Sequence, residues 1–262
     1  MATVSKLPNL TGSSTLATGL PSDAGGLSDY VLFLPLRNAV VDGAVGVTAD
    51  AYIEGAQAFG AAAGRKPIVW YGTSILQGGA VSRSADTYSN ILSRDLDQTV
   101  LNFGFAGNGR MEMAVLDVLA DINAELFVVD CNPNLDADAI AQRTVPLVQA
   151  YRKRHPAVPV LLVSGTTYGD AWFVERVAKS QASKRAALAA AHRELVAAGD
   201  RNVHLIDGAT LFGDWPKQFV EPTVGGTHPS SLGHRAMADA WKAVLSEFPP
   251  CGAVFDGAEE LR

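Results

Sequence analysis

The sequence predicts an α/β domain: a three-layer α/β/α sandwich around a five-stranded parallel sheet. Two observations predict it. Five apolar runs of buried-strand length recur, namely Ile68-Val69-Trp70-Tyr71, Thr99-Val100-Leu101-Asn102-Phe103, Leu126-Phe127-Val128-Val129, residues 158–163 and residues 203–206. Continuous rather than alternating apolarity marks strands covered on both faces. Helical periodicity fills the intervals between the runs, and strands that alternate with helices pair in parallel through right-handed crossovers. No repeat of 20 to 50 residues is present, which excludes a solenoid.

Taken in order, residues 1–26 are rich in Ser, Thr, Gly and Pro with scattered leucines, and predict a flexible N-terminal arm. In residues 27–64 the runs Tyr30-Val31-Leu32-Phe33-Leu34 and Ala44-Val45-Gly46-Val47 flank Asp42-Gly43, which predicts two strands around a turn. A lone hairpin is too little for an independent domain. Residues 65–250 carry the predicted α/β domain. Its helices begin with Tyr88, Ile91, Leu92 and Leu96 on one face, then Val115, Leu119 and Ile122 on another, followed by residues 138–154, 173–198 and 231–248. Residues 251–262 form a tail.

Composition narrows the function. The 262 residues hold 21 Lys plus Arg against 27 Asp plus Glu, a net charge of −6 without a basic run, so neither nucleic acid nor anionic lipid is an expected partner. No apolar stretch is long enough to span a bilayer, and the first 25 residues lack an apolar segment behind a basic start. The expectation is a soluble, cytoplasmic protein, unless an export segment has been removed. Cys131 and Cys251 are the only cysteines, so there is neither a disulfide framework nor a set of thiol ligands for zinc, and whether the two pair is open.

Three short segments each follow an apolar run directly: Tyr71-Gly72-Thr73-Ser74-Ile75, Gly104-Phe105-Ala106-Gly107-Asn108 and Asp130-Cys131-Asn132-Pro133-Asn134. In open parallel sheets, ligands bind outside the carboxyl ends of the strands, where such loops converge. A fourth segment, Gly226-Thr227-His228-Pro229, lies in a Gly-rich loop ahead of the last helix. Of the five histidines, His155 lies at a basic helix end, His192 and His234 inside helices and His204 within a strand, which leaves His228 as the candidate base.

Tyr71-Gly72-Thr73-Ser74-Ile75, followed by Gly78-Gly79 and Ser82-Arg83, resembles the nucleophile block of the SGNH (GDSL-like) hydrolase superfamily, in the branch with Gly-Thr-Ser. Residues 102–110, 130–134 and 226–229 are similar to its second, third and last blocks, and the likeness extends over residues 66–245. It implies a flavodoxin-like sheet and a serine esterase that removes short, possibly acetyl, groups from small alcohols or carbohydrates through an acyl-enzyme on Ser74. No metal or organic cofactor is implied.

By that resemblance Ser74 is the nucleophile and His228 its base, because a serine hydroxyl is weak at neutral pH without one. The amides of Ser74 and Gly107 and the side chain of Asn134 would donate to the oxyanion. A helix N-cap at Ser74, a tight-turn glycine at Gly107 and an Asx-turn beside Pro133 are the structural readings of the same residues, and Asn132 competes with Asn134. Thr73, Asn108, Arg110 and Trp172 are candidates for the substrate pocket. Ion pairs for Arg83 and Arg110, and a core-capping role for Trp172, are the alternatives. Cys131 is expected to be an inert buried thiol.

The chain departs from the family in two places. The aspartate usual three residues before the histidine is Gly225 here. That leaves a Ser–His dyad oriented by a backbone carbonyl, an acid supplied by Glu221 or Asp214, or a weakened enzyme. A β-sandwich often precedes the hydrolase domain in this branch, and Leu34-Pro35-Leu36-Arg37-Asn38 resembles its last stretch, with only residues 27–64 left to represent it. An acyltransferase using the same acyl-enzyme, or an ester- or carbohydrate-binding protein on this scaffold, are the alternative functions.

Overall fold

The structure is a computed structural model and describes residues 15–18, 29–55, 64–213 and 222–248. The strands are β1 (Ile68–Thr73), β2 (Val100–Phe105), β3 (Leu126–Asp130), β4 (Val160–Val163), β5 (Val203–Ile206), β6 (Thr223–Val224) and β7 (His228–Pro229). The helices are α1 (Ser74–Gln77), α2 (Tyr88–Asp95), α3 (Met113–Leu119), α4 (Ala137–Arg152), α5 (Glu175–Ala197) and α6 (Ser231–Leu245). The first five strands pair in parallel in the order β2-β1-β3-β4-β5. This is the predicted five-stranded α/β fold.

Strand alternation divides the core into two apolar clusters, one on each face of the sheet. Val69, Tyr71, Phe127, Val129, Val160 and Leu162 belong to one, together with Leu116 and Leu119 of α3, Leu147 and Val148 of α4 and Leu188 of α5. Ile68, Trp70, Leu126, Val128, Leu161 and Val163 belong to the other, with Ile91 and Leu92 of α2 and Met237, Trp241 and Leu245 of α6. Trp70 meets Trp241 and Tyr88 edge to face, at ring separations of 4.5 and 5.2 Å. Burial of each such side chain stabilises the fold by about 1.5–3 kcal/mol.

The strand that bears the first motif runs two residues past its apolar stretch and turns directly into α1. Gly104 of β2 makes room for that helix, since a Cβ there would lie 2.7 Å from the Gln77 Cα and 2.8 Å from the Thr73 carbonyl oxygen. The start of α1 therefore rests on the end of β2.

The region ahead of the domain differs from expectation. Residues 29–55 contain no strand where the sequence predicts two, and most of their apolar side chains are exposed. Two short strands without a third strand or a helix to cover them have too little buried surface to hold a ladder. The segment instead touches the domain at single points. The Arg94 guanidinium lies 5.0 Å from the Phe33 ring centroid, Gln77 Nε2 donates to the Leu36 carbonyl at 3.1 Å, and Arg37 donates to the Gly79 carbonyl. Nearly all of the predicted arm, residues 1–26, and all of the predicted tail, residues 251–262, lie outside the described residues.

Beneath the strand ends, α6 is joined to α2 and β3 by buried polar groups. The Tyr88 backbone amide donates to His234 Nδ1 at 3.1 Å, the two rings stack, and the Tyr88 hydroxyl donates to Asp130 at 3.2 Å. Burial pushes the Asp130 carboxyl up to about 7, although the Tyr88 hydrogen bond opposes the shift. Burial pushes His234 down to about 4, against a weaker pull from Asp86.

These two groups act on stability with opposite signs. Between its ordinary value of 3.8 and about 7, Asp130 keeps its proton in the folded state while the unfolded chain releases it, so stability falls as pH rises. Between about 4 and its ordinary 6.5, His234 is neutral when folded while the unfolded chain takes up a proton, so stability rises with pH. Asp130→Asn removes only the first effect. Urea unfolding between about pH 4.5 and 6.5 should give the variant a slope more positive than the parent's, by up to about 1 kcal/mol per pH unit. Parallel slopes would contradict the buried-acid assignment.

Candidate active site

Ser74 is the first residue of α1, and its N-cap is Thr73, whose Oγ1 accepts from the Ile75 amide at 3.3 Å. The N-cap reading of Ser74 is thereby corrected by one residue. Thr73 is 1% exposed and so is no pocket residue, because the cap turns its side chain into the fold. Ser74 is left with its hydroxyl in the cavity and a first-turn amide that has no partner within the helix.

His228 arrives on a two-stranded antiparallel ladder that the sequence does not announce. Val224 pairs with His228 and Thr223 with Pro229, and the turn between runs through Gly225 and Gly226 at φ of 61° and 80°. This places His228 Nε2 at 2.9 Å from Ser74 Oγ. In the tautomer that accepts the serine proton, the ring proton resides on Nδ1. Gly225, at the position of the expected acid, contributes backbone only. Glu221 and Asp214 lie outside the described residues.

The other histidines are engaged elsewhere. His155 Nε2 bonds the Ala120 carbonyl, His192 Nε2 the Val203 carbonyl, His204 packs on Phe248, and His234 accepts from Tyr88.

Across the cavity from His228 lie the loops after β2 and β3. Gly107 sits at φ +69°, where a side chain would strain the backbone, and the space before it is open. The turn reading and the oxyanion reading are therefore compatible. Its loop is anchored behind: the Tyr71 hydroxyl bonds Glu112, whose carboxylate also accepts from the Arg110 amide at 2.6 Å. Asn134 lines the same cavity, and its Nδ2 donates to the Asn108 carbonyl and, at 3.4 Å, to that of Phe105. The second of these is a weak bond, which leaves that N–H the readier to donate to a ligand. Asn132 is 3% exposed and spends its amide on the Ser164 carbonyl, so of the two asparagines only Asn134 faces the cavity.

The cavity measures about 410 Å³. Ser74, Gly107, Asn134 and His228 line it, and so do two residues that the sequence reading did not single out for the pocket, Arg37 and Tyr168. Tyr168 follows β4, so the strand-end rule that found the other loops would have found it. Burial, with Asp130 and Asp170 adding, pushes the Tyr168 phenol above its usual value and keeps it a neutral donor. Arg37 belongs to the stretch noted as the remnant of the preceding module.

The remaining pocket candidates fall away. Asn108 offers its carbonyl to Asn134. Arg110 is exposed, and its backbone oxygen accepts from Arg143 at 2.8 Å. Trp172 is 85% exposed and its ring lies tilted against that of Phe173, so among the described residues it neither lines the cavity nor caps the core. Arg83 pairs with Asp86 at 3.0 Å. Cys131 is a free, buried thiol whose pKa is raised by burial, and Cys251 is outside the described residues. Among the described residues, no helix is long and apolar enough to cross a membrane, and no cluster of three or more His, Cys, Asp or Glu side chains is arranged for a metal.

Comparison with known proteins gives a consistent family. The model of the GDSL-like lipase/acylhydrolase family matches residues 65–246. A solved structure described as a GDSL-like lipase, from Bacteroides ovatus, is 33% identical, with a TM-score of 0.66 over 70% of this chain and 53% of that one. A salicylyl-acyltransferase from a tetracycline biosynthetic pathway is 22% identical, with a TM-score of 0.62 over 70% of this chain and 55% of that one. A two-domain esterase active on acetylated mannans is 18% identical, with a TM-score of 0.55 over 70% of this chain and 50% of that one. The last two show the fold alone. The chain thus matches about half the length of each of these structures. No curated protein matches the sequence.

Gly79 supports the Ser74–His228 contact from below. Its amide donates to the Ser74 carbonyl at 2.8 Å, and a Cβ on it would lie 2.7 Å from His228 Cδ2. Gly79→Ala should therefore displace the imidazole. A shift near 1 Å at a reacting group costs about 10²-fold. The expected result is fluorophosphonate labelling of Ser74 slowed by about that factor, with a melting temperature lowered by no more than about 2–4 °C. Labelling at the parental rate would show that the ring tolerates the intrusion.

Proposed function

The chain belongs to the GDSL-like lipase/acylhydrolase family, and from that premise we propose that it is a serine esterase cleaving short acyl esters, acetyl esters foremost, of small alcohols or carbohydrates. The observation that carries this reading is the 2.9 Å contact between Ser74 Oγ and His228 Nε2 at the edge of an open cavity. A serine hydroxyl becomes a competent nucleophile when a base takes its proton as it attacks.

In the proposed mechanism, Ser74 Oγ adds to the ester carbonyl while its proton passes to His228 Nε2. Negative charge develops on the carbonyl oxygen and is met by the Ser74 and Gly107 amides and by Asn134 Nδ2, each fixed before the reaction begins. The intermediate collapses, the alcohol oxygen takes the proton from His228, and an acyl-Ser74 ester remains. Water then repeats the sequence, with His228 as base and Ser74 as leaving group. We take the pair as a dyad whose Nδ1 proton is held by a backbone carbonyl, because Gly225 offers no carboxylate. The cavity volume and the neutral Tyr168 hydroxyl suit a small polar alcohol or one sugar residue. The esterase active on acetylated mannans supports a carbohydrate acetate as the first substrate to try.

A second reading, transfer of the acyl group to an alcohol instead of water, is favoured by the fold shared with the salicylyl-acyltransferase. It uses the same acyl-Ser74, and the ratio of transfer product to acid in the presence of added alcohol separates the two.

Ser74→Ala should abolish hydrolysis of p-nitrophenyl acetate in a folded protein, and Asn134→Ala should lower kcat by about 10²–10³ with a smaller change in KM. Unchanged turnover in Ser74→Ala would overturn the nucleophile, and failure of Ser74 to react with a fluorophosphonate would favour a binding protein on this scaffold. A drop of about 10⁴ in Glu221→Gln or Asp214→Asn would assign a triad acid in place of the dyad.

A further inference from the structure

Beside the Ser74 cavity lies a second one of about 130 Å³, and Pro133 and Tyr168 line both. Residues after β4 form one part of it, and one face of α5 forms the other. Arg176, Lys184 and Arg185 of α5 all line the cavity, Arg176 and Arg185 from opposite edges of the helix side turned toward it and Lys184 from between them. No Asp or Glu does.

The cations are held but not neutralised. Lys184 Nζ donates to the Pro133 carbonyl at 3.1 Å, and Arg185 donates to the Gly165 carbonyl at 3.3 Å and Thr167 Oγ1 at 3.0 Å. Among the described residues none of the three is ion-paired: Glu175, next to Arg176, pairs with Lys179, and Asp136 attracts Lys184 only from a distance. A guanidinium has five donors and an ammonium three, so most of these N–H groups have no acceptor among the described residues. Lys184 is also partly desolvated, which depresses its pKa. In a chain of net charge −6, three cations converging on a cavity without an acid leave an unfilled complement of negative charge.

We propose that this second cavity is an anion subsite of the active site. A carboxylate or phosphate of the ligand sits among Arg176, Lys184 and Arg185, while its ester reaches past Tyr168 and Pro133 to Ser74. The substrate class is then an acylated acidic sugar or sugar phosphate rather than a neutral one. The link to substrate rests on the esterase reading; the anion site itself does not.

Two measurements test it. Inorganic phosphate is titrated calorimetrically into the Ser74→Ala protein with and without Arg176→Gln plus Arg185→Gln. Arg176→Gln alone serves as a second variant, because that exposed residue makes no hydrogen bond among the described residues whose loss could unfold the loop. Binding weakened at least about tenfold by the substitutions is expected. No binding, or equal binding in all proteins, overturns the site and leaves the cations as structural ties or holders of an adventitious ion only.

In the second measurement, O-acetylated glucuronate and O-acetylated glucuronamide, which are nearly isosteric but of which only the first is charged, are compared by kcat/KM. The parent should prefer the acid, and the double variant should lose that preference by at least about tenfold through KM. Phosphate binding that depends on the arginines, together with no preference between the two sugars, assigns the site to a separate anionic ligand and overturns the substrate link. Failure to hydrolyse either sugar or p-nitrophenyl acetate counts against the esterase reading, while the phosphate titration still decides the site.

Discussion

The parallel register of β1 with its two neighbours is the constraint on which the rest of the site depends. Gly72 lies opposite both Gly104 of β2 and Asp130 of β3, so the three strands end nearly level. The next few residues of each strand, Ser74, Gly107 and Asn134, therefore enter one cavity. A slip of one residue would move a strand by about 3.3 Å and turn its side chains to the opposite face. Trp70 and Tyr71 would then exchange clusters. Core packing and the convergence of the site are thus a single fact.

The other half of the site is built independently. His228 comes from the far end of the sequence on a ladder of only two residues per strand, turned by two glycines with positive φ. The short ladder is held from behind. The Pro222 carbonyl accepts from the Ser230 amide at 2.9 Å and from its hydroxyl at 3.1 Å, and Ser230 caps α6. Helix α6 is in turn locked to β1 by Trp241 and to α2 through His234 and Tyr88. The position of the imidazole is consequently set by packing on the face of the sheet that carries α2 and α6. Glycine at position 225 suits this turn, and the same glycine removes the carboxylate that the family usually places there.

The errors of the sequence reading have a common cause. Tyr30–Leu34 and Ala44–Val47 carry strand-like composition, but composition does not supply a partner, and without one the residues join no ladder and are mostly exposed. Thr73 stands beside the nucleophile in its motif, but the cap on α1 buries it, and Trp172 has a suitable side chain but is left exposed among the described residues. Arg37 and Tyr168 were not assigned to the pocket because each is distant in sequence from the motif it joins. Tyr168 had a legible signal in its place after the fourth strand. The nearness of Arg37 to Ser74 depends on a docked segment, and no local pattern encodes that.

The sequence by itself determined the sheet, its succession of strands and helices and the loops that converge, while the pairing of Ser74 with His228 was implied by the likeness of four short blocks to the family. These follow from local periodicity and short motifs, which act over a few residues and leave their mark in the letters. Tertiary structure alone decided how His228 is carried to Ser74, and that three cations of α5 border a second cavity next to the first. Such features depend on which side chains become buried and which elements pack together, and burial is a property of the whole fold.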